Sequence, residues 1–178
     1  MHEQEYDALV YDLDGTLVRL DVDWGEVAEE VAAVLRPRGI DTDGSLWDLL
    51  QRAERAGERH RRAVEEVIAD HERAGARSAD RLALAEELPT GVPTGVCSLN
   101  CEAACRIALE LHGLDGHVDA VVGRDTVEGH KPDPEPLLAA VDAIGADPRT
   151  TLFVGDSDSD RVAAERAGVA FQAVADRR

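Results

Sequence analysis

The residues best placed to do chemistry lie in the stretch Tyr11-Asp12-Leu13-Asp14-Gly15-Thr16-Leu17. The apolar residues of Tyr6 to Val10 suit a short buried strand, and Gly15 breaks the pattern. Asp12 and Asp14 therefore stand where a strand ends, and in an open parallel sheet the strand ends border the crevice in which ligands bind. Two carboxylates at such a point suit metal or proton-transfer chemistry, whereas the plainer reading is a polar turn punctuated by Asp-Gly.

Three other groups share that kind of position. Ser98 ends the run Pro93-Thr94-Gly95-Val96-Cys97, Lys131 lies in the loop Gly129 to Pro134 ahead of a helix, and Asp156 follows the apolar run Thr150 to Val154. A parallel sheet brings all three to the edge that holds Asp12. Lys131 is also the only lysine in a chain whose other basic residues are arginines.

The elements that must position these groups alternate. Strands are expected at residues 6–10, 93–98, 118–122, 150–154 and 169–174, with helices near 101–111, 135–144 and 156–167 between the later ones. That order predicts an α/β, Rossmann-like, three-layer core with a five-stranded parallel sheet and right-handed crossovers. After the first strand the pattern changes. Val18 to Asp23 reads as irregular, and three helices follow: one from Trp24 ended by Pro37 and Gly39, one from Ser45 as N-cap towards Gly57, and one from Glu58 to Arg73 closed by Gly75. A short helix is expected over Asp80 to Glu87. The division is thus 1–20 and 78–178 for the core, with 21–77 an all-helical cap able to cover the crevice. Trp24 and Trp47 are expected to pack the cap's small core, and Arg59, Arg61 and Arg62 to form a solvated face pairing with nearby glutamates.

Asp12-Leu13-Asp14-Gly15-Thr16-Leu17 resembles the first motif of the haloacid dehalogenase superfamily in its phosphatase form. Ser98, Lys131 before Pro132, and Gly155-Asp156-Ser157-Asp158-Ser159-Asp160 resemble the second, third and fourth motifs, in that order. The likeness covers residues 6–17 and 88–174, and the helical insert is short for the caps found at this point. What the resemblance implies is a Mg²⁺-dependent phosphatase of the phosphoglycolate phosphatase kind, acting on a small phosphorylated metabolite through an aspartyl-phosphate. Asp12 would be the nucleophile and Asp14 the general acid and base. Asp12, the backbone carbonyl of Asp14, and Asp156 would hold the metal, with Asp160 supporting its shell. Gly15, Thr16, Ser98, Asn100 and Lys131 would contact the phosphoryl group, with backbone N–H donors near Leu13, Gly15 and Asn100. One departure is that Leu99 separates Ser98 from Asn100, where the family more often has the Asn next. A phosphomutase of the β-phosphoglucomutase type shares every motif, and a non-catalytic binding protein keeping the fold is the rival from another class.

The acidic run at 156–160 does not fit a calcium loop, because Arg161 stands where an EF-hand needs Gly and Ala167 where it needs Glu. Cys97, Cys101 and Cys105 are an odd set, read as small buried hydrophobes. With 37 acidic and 19 basic residues the formal charge is −18, which argues against nucleic acid or anionic membrane as partner. Acid surplus with almost no lysine resembles the style of salt-adapted proteins, with a GC-rich, acidic mesophile as the plainer alternative. With no long apolar run and no basic leader, the expected location is cytoplasmic.

Overall fold

Strand β1 (Ala8–Tyr11) is buried along its whole length, the condition of a strand covered by helices on both faces. The computed structural model describes residues 5–177; residues 1–4 and 178, assigned above to the core, lie outside the described residues. After β1 come β2 (Val18–Arg19), α1 (Trp24–Leu35), α2 (Leu46–Ala56), α3 (Glu58–Ala76) and β3 (Asp80–Arg81). The remainder alternates as expected: β4 (Thr94–Cys97), α4 (Glu102–Leu111), β5 (Ala120–Val122), α5 (Glu135–Ala143), β6 (Thr151–Gly155), α6 (Asp158–Ala167) and β7 (Ala170–Ala173).

Five strands form one parallel sheet in the order β5-β4-β1-β6-β7. The pleat sorts their side chains between two apolar clusters. Leu9, Tyr11, Val96, Leu152 and Val154 pack with Ala104, Cys105 and Ala108 of α4. On the opposite face Val10, Cys97 and Phe153 pack with Leu137 and Ala140 of α5 and Ala164 of α6. The result is the three-layer Rossmann-like arrangement. From β1 the chain moves outward to β4 and β5, then crosses back to β6 on the other side of β1. The crevice beyond the carboxyl ends of β1 and β6 is therefore the topological switch point of the sheet.

Between β2 and β3, helices α1 to α3 enclose an apolar cluster of their own, with Val27, Val31 and Leu35 facing Leu49, Ala53, Val64 and Ile68. Their starts are sequence-encoded: Asp23 caps α1, and Ser45 forms a reciprocal capping box with Asp48 at α2.

Three local expectations fail at the base of this insert. Asp80 to Glu87 is not an α-helix: Asp80–Arg81 pairs antiparallel with Val18–Arg19, and Ala83–Glu87 is a single 3-10 stretch. A segment that short gains too little from helical propensity to resist a waiting strand partner. Val18–Arg19, read as irregular, is the other half of the same ribbon. Gly75 does not close α3 either, because the helix runs on to Ala76. A Cβ on Gly75 would stand 2.6 Å from the carbonyl oxygen of Asp21, so glycine lets the helix touch the chain entering the insert.

Candidate active site

Lys131 comes first, because a buried ammonium must be paid for by partners. Its Nζ donates to Asp12 Oδ1 at 3.0 Å, to Asp160 Oδ1 at 2.5 Å and to the Cys97 carbonyl at 3.2 Å, which uses all three of its protons. Burial works against the charge, but Asp12, Cys97 and Asp160 outweigh it and hold the lysine above its ordinary pKa. Asp12 follows Val10 in the alternation of β1 and so falls on the face where α5 and α6 lie. Asp160 reaches the same point from the first turn of α6, where it also closes a capping box with Ser157. Asp12 is pushed up to about 6, by burial first, with Lys131 pulling it down and the neighbouring Asp156 pushing it up.

Carboxylate oxygens of Asp12, Asp156 and Asp160 lie within 4.8 Å of one another, with Asp156 exposed and the other two buried. Asp160 has both oxygens engaged, Oδ1 by Lys131 and Oδ2 by the Ser157 N–H, whereas Asp12 uses only Oδ1, so the pair with oxygens to spare is Asp12 and Asp156. Two hard carboxylates, one open to solvent, fit a divalent cation that binds through one or two carboxylates and keeps several waters. Gly15 makes this geometry possible: its φ is +84°, and a Cβ there would sit 2.1 Å from Asp156 Oδ2. Asp14 is half-buried, and its Oδ1 accepts from the Leu20 N–H at 3.1 Å. Burial raises its pKa, partly offset by that hydrogen bond.

The structure does not bring every expected contact residue to this point. The Gly15 N–H donates to the Val18 carbonyl at 2.8 Å and the Thr16 N–H to Leu13 at 3.1 Å, closing the turn after β1. Thr16 is fully buried, its hydroxyl has no partner among the described residues, and with Gly15 it lines a different cavity beside Arg19 and Leu82. The turn consumes these donors before any ligand can. Ser98 and Asn100 are both buried, only Asn100 lining the cavity with Asp12 and Lys131, and they bond to each other: Ser98 Oγ donates to Asn100 Oδ1 and accepts from the Asn100 N–H, each at 3.1 Å. The Asn100 N–H is therefore also spent.

Asn100 leads to residues that the sequence reading missed. Its Nδ2 donates to Glu72 Oε2 at 2.9 Å, and Glu72, on α3, also accepts from the Cys101 N–H at 3.3 Å. Arg124, just beyond β5, donates to Glu72 at 2.6 and 2.9 Å, to Glu65 at 2.6 Å and to the Leu99 carbonyl at 2.7 Å. This ion-paired cluster fastens the helical insert to the loop carrying Ser98. A signal for it existed: Glu72 interrupts the buried stripe Val64, Ile68, Gly75 and Ala76 of α3, and a carboxylate in an apolar stripe needs a buried cation.

Trp24 and Trp47 depart from expectation. They are 38% and 41% exposed and do not fill the core of the insert. Both stand in the first turn of their helices, where α1 and α2 end over the sheet edge, and they line a cavity of about 610 Å³ together with Asp12, Asp14, Lys131 and Asp156. Arg61 and Arg62 pair with Glu58, as a solvated face would. The three cysteines are buried and free. Burial pushes the Cys97 thiol up to about 12 and the Cys101 thiol up to about 11, so neither is a thiolate nucleophile at neutral pH.

A buried lysine between two aspartates, a third aspartate open to solvent, and a helical insert above them at the switch point of a parallel sheet define a carboxylate-rich site in a covered crevice of an α/β, Rossmann-like fold. The chain belongs to the family of haloacid dehalogenase-like hydrolases, whose model matches residues 9–174. Among curated proteins it is 46% identical over 61 residues to the pyrophosphatase PpaX of Halalkalibacterium halodurans and 42% identical over 60 residues to a phosphoglycolate phosphatase of Aquifex aeolicus. Each of those matches covers 34% of this chain and 28% of the relative. A haloacid dehalogenase-superfamily hydrolase of Geobacter sulfurreducens superposes with a TM-score of 0.60 at 28% identity, covering 93% of this chain and 88% of the other. The β-phosphoglucomutase of Clostridium difficile shares the fold, with a TM-score of 0.68 at 17% identity over 93% of this chain and 83% of the other.

Proposed function

We propose that the protein is a Mg²⁺-dependent phosphatase that hydrolyses a small organic phosphate monoester through an aspartyl-phosphate on Asp12. The observation that carries this reading is the Lys131 ammonium held 3.0 Å from Asp12 and 2.5 Å from Asp160. A phosphate dianion repels a carboxylate nucleophile, and a fixed positive charge beside the attacking oxygen offsets that repulsion. Asp12 and Asp156 would hold Mg²⁺ with the Asp14 carbonyl, and the bound ion would supply the second positive charge at the phosphoryl oxygens. The N–H groups of Leu13 and Asp14 have no acceptor among the described residues and would serve as donors to the phosphoryl oxygens.

In the first half-reaction an Asp12 carboxylate oxygen bonds to phosphorus while the ester P–O bond breaks, and the departing alcohol oxygen takes a proton from Asp14. In the second half-reaction Asp14 removes a proton from water, whose oxygen displaces the Asp12 carboxylate and releases inorganic phosphate. For this cycle Asp14 must be protonated first and ionised later, and burial that raises its pKa favours the first state. Its side chain would leave the Leu20 N–H as residues 21–77 close, acting as a cap hinged on the β2–β3 ribbon. Asn100 would act through Ser98 rather than on the substrate. The acid surplus supports a working environment of high ionic strength, and the expected cytoplasmic location belongs to the same reading. Among the described residues no helix is long and apolar enough to cross a membrane.

The test is release of inorganic phosphate from p-nitrophenyl phosphate with Mg²⁺ by the wild type and by Asp12→Asn, with circular dichroism to verify folding. A loss of at least about a thousandfold is expected in the variant. Undiminished turnover would remove Asp12 as the nucleophile. Retention of the phosphoryl group on a sugar phosphate, with no phosphate released, would favour the mutase instead.

A further inference from the structure

We infer that the leaving group of the substrate is uncharged and presents a flat, apolar surface, as an aryl-methyl or nucleoside-like alcohol does. The inference rests on the phosphatase reading above and concerns the half of the cavity beyond the phosphoryl site. At about 610 Å³ the cavity is far larger than a phosphate group needs and falls within the range of small-molecule sites.

Its walls decide what the extra space can hold. Lys131 is the only cation among the described lining residues, and its three protons are engaged at the floor by Asp12, Asp160 and the Cys97 carbonyl. The remaining charges of the lining are acidic: Asp14, Glu72 and Asp156 accompany Asp12. Lys131 and the Mg²⁺ proposed at Asp12 and Asp156 serve the transferred phosphoryl group, and Glu72 is paired with Arg124, so a leaving group carrying a carboxylate or a second phosphate would find no cation of its own among the described lining residues. Arg124 cannot supply one, since it is 1% exposed and held by Glu65 and Glu72. The upper walls are instead Trp24, Trp47, Leu46 and Leu99. In a chain with only two tryptophans, both are left over a third exposed and both line this one cavity. Large rings left exposed in one cavity cost apolar hydration that a flat ligand laid against them would recover.

The experiment compares benzyl phosphate with 2-phosphoglycolate and pyrophosphate as substrates with Mg²⁺. The two esters both release an aliphatic alcohol, so leaving-group reactivity does not set their order. We expect kcat/KM for benzyl phosphate to exceed the other two by at least about tenfold. Trp24→Ala and Trp47→Ala should each raise KM for benzyl phosphate by about threefold to tenfold, with inhibition by inorganic phosphate unchanged and Trp→Phe restoring most of the loss. Because the chain has no other tryptophan, fluorescence gives a readout that needs no turnover. Titration with 4-nitrobenzylphosphonate should quench the emission, and inorganic phosphate should not. Preference for either charged substrate, absence of quenching, or variants that weaken inorganic phosphate as much as benzyl phosphate would overturn the inference. If no ester is hydrolysed, the phosphatase reading falls, while the quenching titration still decides what the cavity binds.

Discussion

At the scale of single residues, the site is governed by how Asp12 and Lys131 share a buried position. Burial raises Asp12 from 3.8 to about 6 in the metal-free protein. Between those two values the folded protein keeps a proton that the unfolded chain has released. This group's contribution to stability is therefore fully present below pH 3.8 and is lost as the pH rises through 6. The thermal midpoint of EDTA-treated protein should fall across that window relative to Asp12→Asn, which cannot titrate there; parallel curves for the two proteins would contradict it. Cation binding has the matching sign. At the proposed metal site Mg²⁺ would compete with the proton on Asp12, so its affinity, measured by calorimetry, should weaken as the pH drops below about 6. The identities of these groups were legible in the chain, since a lone lysine before Pro132 and an Asp-x-Asp after an apolar run are local features. Their state of ionisation was not, because it depends on burial and on partners up to 119 residues away.

At the scale of elements, α3 is the member that ties the helical insert to the core. Glu72 and Arg124 are each 1% exposed at the side chain, so removing one strands the other. Glu72→Ala should cost about 3–5 kcal/mol, as breaking a buried pair does, and lower the thermal midpoint by roughly 6–20 °C. Glu72→Met combined with Arg124→Met should cost much less, because no buried charge is left unpaired and Glu65 is partly solvated. Equal losses in the single and double variants would show that packing, not charge, holds α3 in place. The helices of the insert were readable from their apolar spacing and from caps such as Ser45. The β2–β3 ribbon was not, because two residues carry no periodicity and the pairing joins positions more than 60 apart in the chain. Trp24 and Trp47 were misplaced for a related reason: helical spacing tells which side a residue takes, but not which end of the helix overhangs the crevice.

At the scale of the whole molecule, a formal charge of −18 acts against compaction. Ion pairs such as Arg61 with Glu58 and Arg106 with Glu102 are exposed and contribute little each, so they leave the surplus largely uncompensated. Salt shortens the range of that repulsion from about 10 Å at 0.1 M to about 3 Å at 1 M. The midpoint of thermal unfolding should therefore rise by several degrees between 0.1 and 2 M NaCl. A flat or falling midpoint would refute the view that repulsion limits stability.

The order of the core strands and their helices, the layered α/β class and the four loops able to carry chemistry were set by the linear chain. Apolar periodicity, glycine breaks and capping residues act over a few neighbouring positions, and such signals survive in one dimension. Tertiary structure alone decided that the Gly15 and Thr16 donors close a turn, that Ser98 is bonded to Asn100, and that Glu72 meets Arg124. It also decided that two tryptophans overlook the site. Each of those outcomes turns on which partner a hydrogen-bonding group or an aromatic ring meets first, and that is fixed only when distant segments are brought within a few ångströms.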